Sequence, residues 1–191
     1  MDRTEAALLE ALTLIKGRRT NLRIDPARPV APALVERLCE AGTWAPNHKL
    51  TEPWRFAALT GSARTALGEI VAADLARRGV DDPARLEKAR IKYLRAPVIV
   101  GVGCIADRDA IRHLEDRDAV AAAVQNLLLA ATAAGLASYW ATGAATRLPE
   151  ARRLCGFDAD TEIVALIYLG WPTGPAPATN RSEPDIVWVD S

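Results

Sequence analysis

The chain has 191 residues, half of them hydrophobic and a quarter charged, which suits one globular domain and excludes disorder. Its 24 Lys and Arg balance 24 Asp and Glu, so it lacks the basic face that nucleic-acid phosphates demand and any general attraction for anionic membrane. An anion bound here must be held by a few local cations.

The spacing of Leu8, Leu9, Leu12 and Ile15 predicts a helix over about Thr4 to Lys16, with Gly17 closing it at positive φ. Arg18-Arg19-Thr20 follows as loop. Pro32 sits at a helical first turn, and Leu34, Val35 and Leu38 carry that helix to Gly42. Asn47 to Pro53 is polar loop, and Trp54 to Leu59 reads as a strand. Ser62 is positioned to cap a helix reaching Arg78, closed by Gly79. Pro83 starts another helix, which stops before Pro97 because the residue before proline resists the helical region. Val98 to Cys104 is a short apolar strand.

A long helix is expected over about Ala119 to Ala134. The stretch from Ala119 to Ala141 is uncharged and long enough to cross a bilayer. Its apolar content is mostly alanine, however, interrupted by Gln125, Asn126, Thr132 and Ser138, so a helix buried all round in a core or an interface is expected instead. Leu136 to Thr142 is a strand, Leu148 to Leu154 a short helix, and Glu162 to Leu169 a strongly β-branched strand. Residues 173–191 read as an extended arm, with Ile186 to Val189 as a final strand. Helices alternating with strands give one domain over residues 1–191, α+β or three-layer, with one sheet.

Cys39, Cys104 and Cys155 form no CxxC pair, and only His48 and His113 add nitrogen donors, so no zinc site is expected. An odd thiol count and a polar start at Met1 to Glu5 point to a reducing cytoplasm. Gly101-Val102-Gly103-Cys104-Ile105-Ala106 matches the dinucleotide fingerprint, but that motif needs a helix N-terminus at the pyrophosphate. Here Asp107-Arg108-Asp109 follows, and the glycines are read as a buried strand with close neighbours. No nucleophile elbow or Walker loop occurs.

Four segments remain. Arg18-Arg19-Thr20 offers two guanidinium groups and a hydroxyl to a phosphate; the same cations would also favour a helix C-terminus. The block Ala41-Gly42-Thr43-Trp44-Ala45-Pro46-Asn47-His48-Lys49 through Pro53-Trp54-Arg55-Phe56 offers aromatic faces and donors to a planar ring, or is a loop pinned by tryptophan. Gly135 to Gly143, with Trp140-Ala141-Thr142, has small residues that admit a flat molecule, or is an interior strand and turn. Ile167-Tyr168-Leu169-Gly170-Trp171-Pro172, where a buried strand ends, is read as structural.

In this order the four segments resemble the nitroreductase family, over about Leu14 to Pro172. The closest likeness is to its short bacterial branch of NAD(P)H nitroreductases. The resemblance implies a three-layer α/β/α sandwich with a central mixed sheet, assembled as a domain-swapped homodimer with two FMN sites at the interface. It implies that Arg18, Arg19 and Thr20 form the FMN loop, with the arginines toward the phosphate and ribityl end. Trp44 and His48 would be supplied by the other subunit. Trp140, Ala141, Thr142 and Gly143 would lie beside the isoalloxazine, with the last two near its redox edge. Related chains often place arginine where Trp44 and Ala141 stand, and fewer cations near the ring would alter flavin potential or acceptor choice. They also often place a basic residue near the C-terminus on the phosphate, a role that falls to Arg181. The implied reaction is ping-pong hydride transfer from NADH or NADPH through flavin to a nitroaromatic, quinone or similar small acceptor. The rivals are a same-fold enzyme acting on flavin itself or on halogenated aromatics, a dimer that stores or senses FMN without turnover, and a dehydrogenase using the Gly101 segment.

Overall fold

A computed structural model describes residues 2–190, leaving the two end residues of the expected domain and arm, Met1 and Ser191, outside it. Four strands form the sheet: β1 (Trp54–Leu59), β2 (Val98–Ile105), β3 (Ala137–Ala141) and β4 (Thr161–Gly170). Their order across it is β1-β2-β4-β3, and each neighbouring pair is antiparallel. The one parallel pairing among the described residues is the isolated bridge of Thr20 to Ser138, outside the four strands at the β3 edge.

Helices cover both faces. On one, α2 (Pro32–Thr43) and α5 (Ala110–Ala133) pack Val35, Leu38, Val120, Val124 and Leu127 against Val98, Val100, Val102, Ile167 and Leu169. On the other, α3 (Gly61–Arg77), α4 (Pro83–Ile91) and α6 (Pro149–Leu154) pack Leu67, Val71, Ala89 and Ala151 against Leu59, Ile99, Leu166 and Tyr168. The even-numbered residues of β2 therefore face α5 and the odd-numbered ones face α3, as period-two alternation requires. β2 and β4 are covered on both faces, which explains their unbroken apolar runs. Each large side chain buried there contributes on the order of 1.5–3 kcal/mol.

The glycines of the apparent dinucleotide motif lie in the middle of β2. A Cβ on Gly103 would come within 2.6 Å of Thr161 Cγ2, and one on Gly101 within 3.0 Å of Cys155 Sγ. Both are packing glycines, and a register shift between Val102 and Gly103 sits at the same place.

Several expectations are corrected. The long helix starts at Ala110, nine residues before Ala119, because the Asp109 carboxylate caps it, accepting from Ile111 N at 2.9 Å and Arg112 N at 3.2 Å. Those two donors hold the Asp109 carboxyl below its ordinary range, the Arg112 bond most. Within one chain the core alone does not bury this helix all round: Ala121, Ala122, Gln125, Asn126 and Leu129 stay partly exposed on the side away from the sheet. No helix among the described residues is long and apolar enough to cross a membrane. Gly17 is the last residue of α1 (Arg3–Gly17) and does not take positive φ; the helix simply runs into extended backbone at Arg18. α3 starts at Gly61, so Ser62 lies inside its first turn and caps nothing. Ile186 to Val189 form no strand, since no neighbouring backbone lies beside them to complete a ladder. α1 buries none of its residues, and Leu8, Leu9 and Ile15 of its apolar face are 46–58% exposed.

Burial pushes the thiols of Cys39 and Cys155 up to about 11 and that of Cys104 up to about 12, from an ordinary 9.0. Unfolding exposes them, so above pH 9 the unfolded chain releases protons that the folded one retains, and stability must fall with rising pH. Denaturant midpoints measured from pH 8 to pH 10.5 are expected to drop. Each buried thiol contributes on the order of 1 kcal/mol per pH unit in that window. A Cys104→Ala, Cys155→Ala double variant should show a visibly flatter profile; an equal slope would assign the loss to other groups.

Candidate functional site

The edge of the sheet at β3 collects most of the residues singled out in the sequence. Thr20 bridges Ser138, and Asn21 N donates to Ser138 O at 3.0 Å, so the segment after α1 is laid along β3. Asn21 is buried at 5% exposure; its Nδ2 donates to Gly174 O at 3.2 Å and its Oδ1 accepts from Arg23 N at 2.9 Å. Ile24 bridges Pro172, and Thr173 N donates to Arg23 O at 2.8 Å. One short stretch thereby ties the start of the chain to both β3 and the start of the C-terminal arm. Asn21 was invisible as a site residue in the sequence, because its role is to join two segments about 150 residues apart.

The tie creates a cleft of about 510 Å³ lined by Lys16, Arg18, Arg19, Gln125 of α5 and Arg181 of the arm. No acid lines it. In a chain whose charges otherwise cancel, four cations share one hollow without a counter-charge. Arg18, Arg181 and Lys16 make no side-chain hydrogen bond or ion pair among the described residues. Arg19 differs: its Nη1 donates to Lys16 O and, at 2.9 Å, to Arg18 O, so it closes the end of α1. Arg19 thus realises the helix-terminus reading of the pair, while Arg18 lines the cleft without a partner of its own among the described residues.

Trp140 and Ala141 lie on β3 with opposite faces. The Trp140 side chain packs on the α5 side, and its Nε1 is buried without a partner. An unpaired buried N–H carries a desolvation penalty on the order of 1–3 kcal/mol, which an acceptor would relieve. Ala141 points into the opposite core at 5% exposure, so only its backbone faces outward. Thr142 and Gly143 follow the strand and turn into the 3-10 segment Ala144–Arg147. Lys92, which the sequence did not single out, has its Nζ 3.4 Å from where a Gly143 Cβ would stand, and burial, then Arg95, lowers its pKa. Trp171 is structural as expected: its Nε1 donates to Pro29 O at 3.0 Å, and Arg28 lies 4.0 Å over its ring.

Trp44 and His48 are not brought to this cleft within one chain. Trp44 is 81% exposed at the end of α2. His48 Nδ1 lies 2.9 Å from Glu115 Oε2 in a hollow walled by Asp118, Ala119 and Ala122 of α5. At 1.5 Å per residue, Asp118 and Gln125 are about 10 Å apart along that helix, so the two hollows lie on one rod. The His48 loop is strained: Lys49, Leu50 and Glu52 take φ of 57°, 52° and 46°. Thr51 Oγ1, donating to Asp116 Oδ1 at 2.6 Å, and Glu52 N, donating to Asn47 Oδ1 at 3.0 Å, hold it in that form.

Folding also gathers Cys104, His113 and Glu162, whose ligand atoms lie within 4.8 Å of one another. Their spacing in sequence gave no such signal. Glu162 is already paired with Arg117 and, at 3.3 Å, with His113 Nε2, and the Cys104 thiol donates to Ile105 O at 3.4 Å. A divalent cation here would meet the Arg117 guanidinium on its own carboxylate ligand.

Residues 15–171 match the model of the nitroreductase family. The chain belongs to that family. An Escherichia coli K12 protein named "Putative NAD(P)H nitroreductase YdjA" is 31% identical over 178 residues, covering 93% of this chain and 96% of its own length. Among solved structures, a nitroreductase-like family protein from Bacillus cereus is 27% identical with a TM-score of 0.76, covering 92% of this chain and 94% of that one. A Desulfovibrio desulfuricans nitroreductase homologue solved in complex with FMN is 28% identical with a TM-score of 0.68, covering 92% and 97%.

The four-cation cleft should take a phosphate. Inorganic phosphate at tenfold above its Kd stabilises a single-site protein by about 1.4 kcal/mol, read as a rise in Tm. Arg18→Ala should lose most of that rise with little change in the ligand-free Tm, since no side-chain hydrogen bond or ion pair among the described residues goes with it. Arg19→Ala should lower the ligand-free Tm, because it unfastens α1. Equal phosphate shifts in wild type and Arg18→Ala would remove the cleft as an anion site.

Proposed function

We propose that the protein is an FMN-dependent oxidoreductase that takes a hydride from NADH or NADPH and passes it to a nitroaromatic, quinone or similar small flat acceptor. The observation that carries this reading is the cleft of four uncompensated cations beside β3, in a chain of the nitroreductase family. FMN bound there would supply two-electron chemistry between the nicotinamide and the acceptor.

The chain's own part is to hold, orient and shield. Arg18 and Arg181 meet the phosphate with charge-assisted bonds, and Lys16 adds a third charge. Arg19 keeps the end of α1 in place so that Arg18 points into the cleft. Thr20, fixed on Ser138, sets the distance between the phosphate end and the strand. Trp140 offers its unpaired Nε1 to a polar atom of the ligand. Thr142 and Gly143 offer backbone donors at the redox edge, where preorganised N–H groups stabilise developing negative charge. Ala141 contributes backbone alone.

The same reading makes the protein a domain-swapped homodimer. Trp44 and His48, which lie away from the cleft of the chain that carries them, would complete the site of a second copy. The bare apolar face of α1, the outward side of α5 and the exposed run Ile186-Val187-Trp188-Val189 supply surface to bury. Its three separated cysteines, an odd number with no CxxC pair, suit work in a reducing cytoplasm. The alternative of an FMN-storing or FMN-sensing dimer differs only in lacking turnover.

Purified protein is expected to be yellow, to release FMN on heating and to run at twice the mass of one chain. Its colour should bleach on anaerobic mixing with NADH or NADPH and return on adding menadione or a nitroaromatic. Arg18→Ala, removing a contact worth about 1.5–3 kcal/mol, should weaken FMN binding by about tenfold or more. Colour that persists under excess NADPH and NADH would replace the enzyme with the storage reading, and a colourless protein would end both.

A further inference from the structure

A second cleft, of about 370 Å³, lies at the end of the sheet where β3 stops and β4 starts. Thr142 forms one lip, and Arg147, Arg152 and Arg117 stand around it with Thr146 and Thr161. Its floor is apolar, from Leu148, Ile163 and Val164. The volume is that of a single-ring ligand.

Charge in this cleft is not balanced. The one acid in its wall, Glu162, is consumed by Arg117 and by His113. Arg147 has no ion-pair or hydrogen-bond partner among the described residues. Arg152 meets no acid either: its Nη1 donates to Ala159 O at 2.6 Å, and its Nε is buried with no acceptor. A guanidinium N–H left unsatisfied in a wall of a cleft is costly unless an anion comes to it. Hydroxyls of Thr142 and Thr146 add neutral donors beside the two arginines, although Thr146 Oγ1 is already turned to Gly143 O at 3.1 Å.

We infer that this cleft is the acceptor subsite and that it selects aromatic acceptors bearing a carboxylate. The apolar floor takes the ring, and Arg147 and Arg152 take the carboxylate as a fork matched to its two oxygens. The reducible group then points toward Thr142. This inference rests on the flavin reading for the place of the redox edge, but the charge of the cleft does not depend on it. In the reaction a nitrobenzoate nitro group accepts the two electrons of the nicotinamide hydride. With that hydrogen and one solvent proton an oxygen leaves as water, giving the nitroso compound and oxidised nicotinamide.

The test compares 4-nitrobenzoate with its uncharged isostere 4-nitrobenzamide. The FMN-loaded wild-type dimer is expected to favour the carboxylate by about tenfold in kcat/KM, a preference that shrinks with added salt. Arg147→Gln, at an exposed position with no internal contact to lose, should bring that ratio to about one. A readout independent of turnover is the Tm: benzoate should raise it in wild type, benzamide should not, and Arg147→Gln should abolish the benzoate shift. Equal kcat/KM for the two nitro compounds, or a benzoate shift that survives Arg147→Gln, would overturn the inference. A benzoate shift that Arg147→Gln abolishes, in a protein that reduces neither compound, would keep the anion cleft and sink the flavin reading instead.

Discussion

The short tie of residues 20–24 to the β3 edge and the start of the arm governs the rest of this structure. Without the Thr20–Ser138 bridge and the buried amide of Asn21, the residues after α1 would have no fixed relation to the sheet. Arg18 would then swing on a loop, and the arm carrying Arg181 would leave the surface at Pro172. Backbone groups buried at a sheet edge must be paired, and this segment meets that demand for β3 while setting cations beside it. The charge cluster is thus held by a ladder, not by counter-ions. This is why Arg18 and Arg181 can stay unpaired in a protein of zero net charge.

Behind the edge, the sheet is organised around two interior strands with room for almost nothing. Gly101 and Gly103 stand where any side chain would strike Cys155 or Thr161, and Gly170 has Ile24 and Pro97 within 2.6 Å of its absent Cβ. A motif that looks like a phosphate loop is therefore a tightly packed part of the core. The helix that follows begins under an aspartate, not under free N–H groups. Local pattern and local physics disagree here, and the physics of the helix terminus decides.

Much of this was legible from the residues. β1 falls on Trp54–Leu59 as expected, β2 and β4 end within a residue of their expected ends, and Gly79 closes α3 with φ of 83°. Arg18 and Arg19 meet Arg181, far from them in sequence, at one cleft. What was not legible depends on partners distant in sequence. The first two turns of α5 are charged, and only the Asp109 cap makes them helix. Ile186 to Val189 alternate as a strand should, yet a strand is a relation between two backbones and this chain provides one. The opposite facing of Trp140 and Ala141 follows from strand parity once the register is fixed, but nothing in the sequence says which of the two faces the ligand side. Arg147 and Arg152 carry no signal of their own in the sequence, and only the start of β4 brings a cleft together beside them.

The arm beyond Gly174 carries one of the cleft's cations but adds nothing to either core, and every residue from Pro175 to Asp190 is exposed. Such segments are the first that proteases reach. A single nick there would leave the sheet, the helices and the melting behaviour of the domain essentially intact while taking away Arg181. The cation cluster of this molecule can therefore age faster than its fold, and a preparation that looks intact by circular dichroism can already have lost one of the cleft's charges.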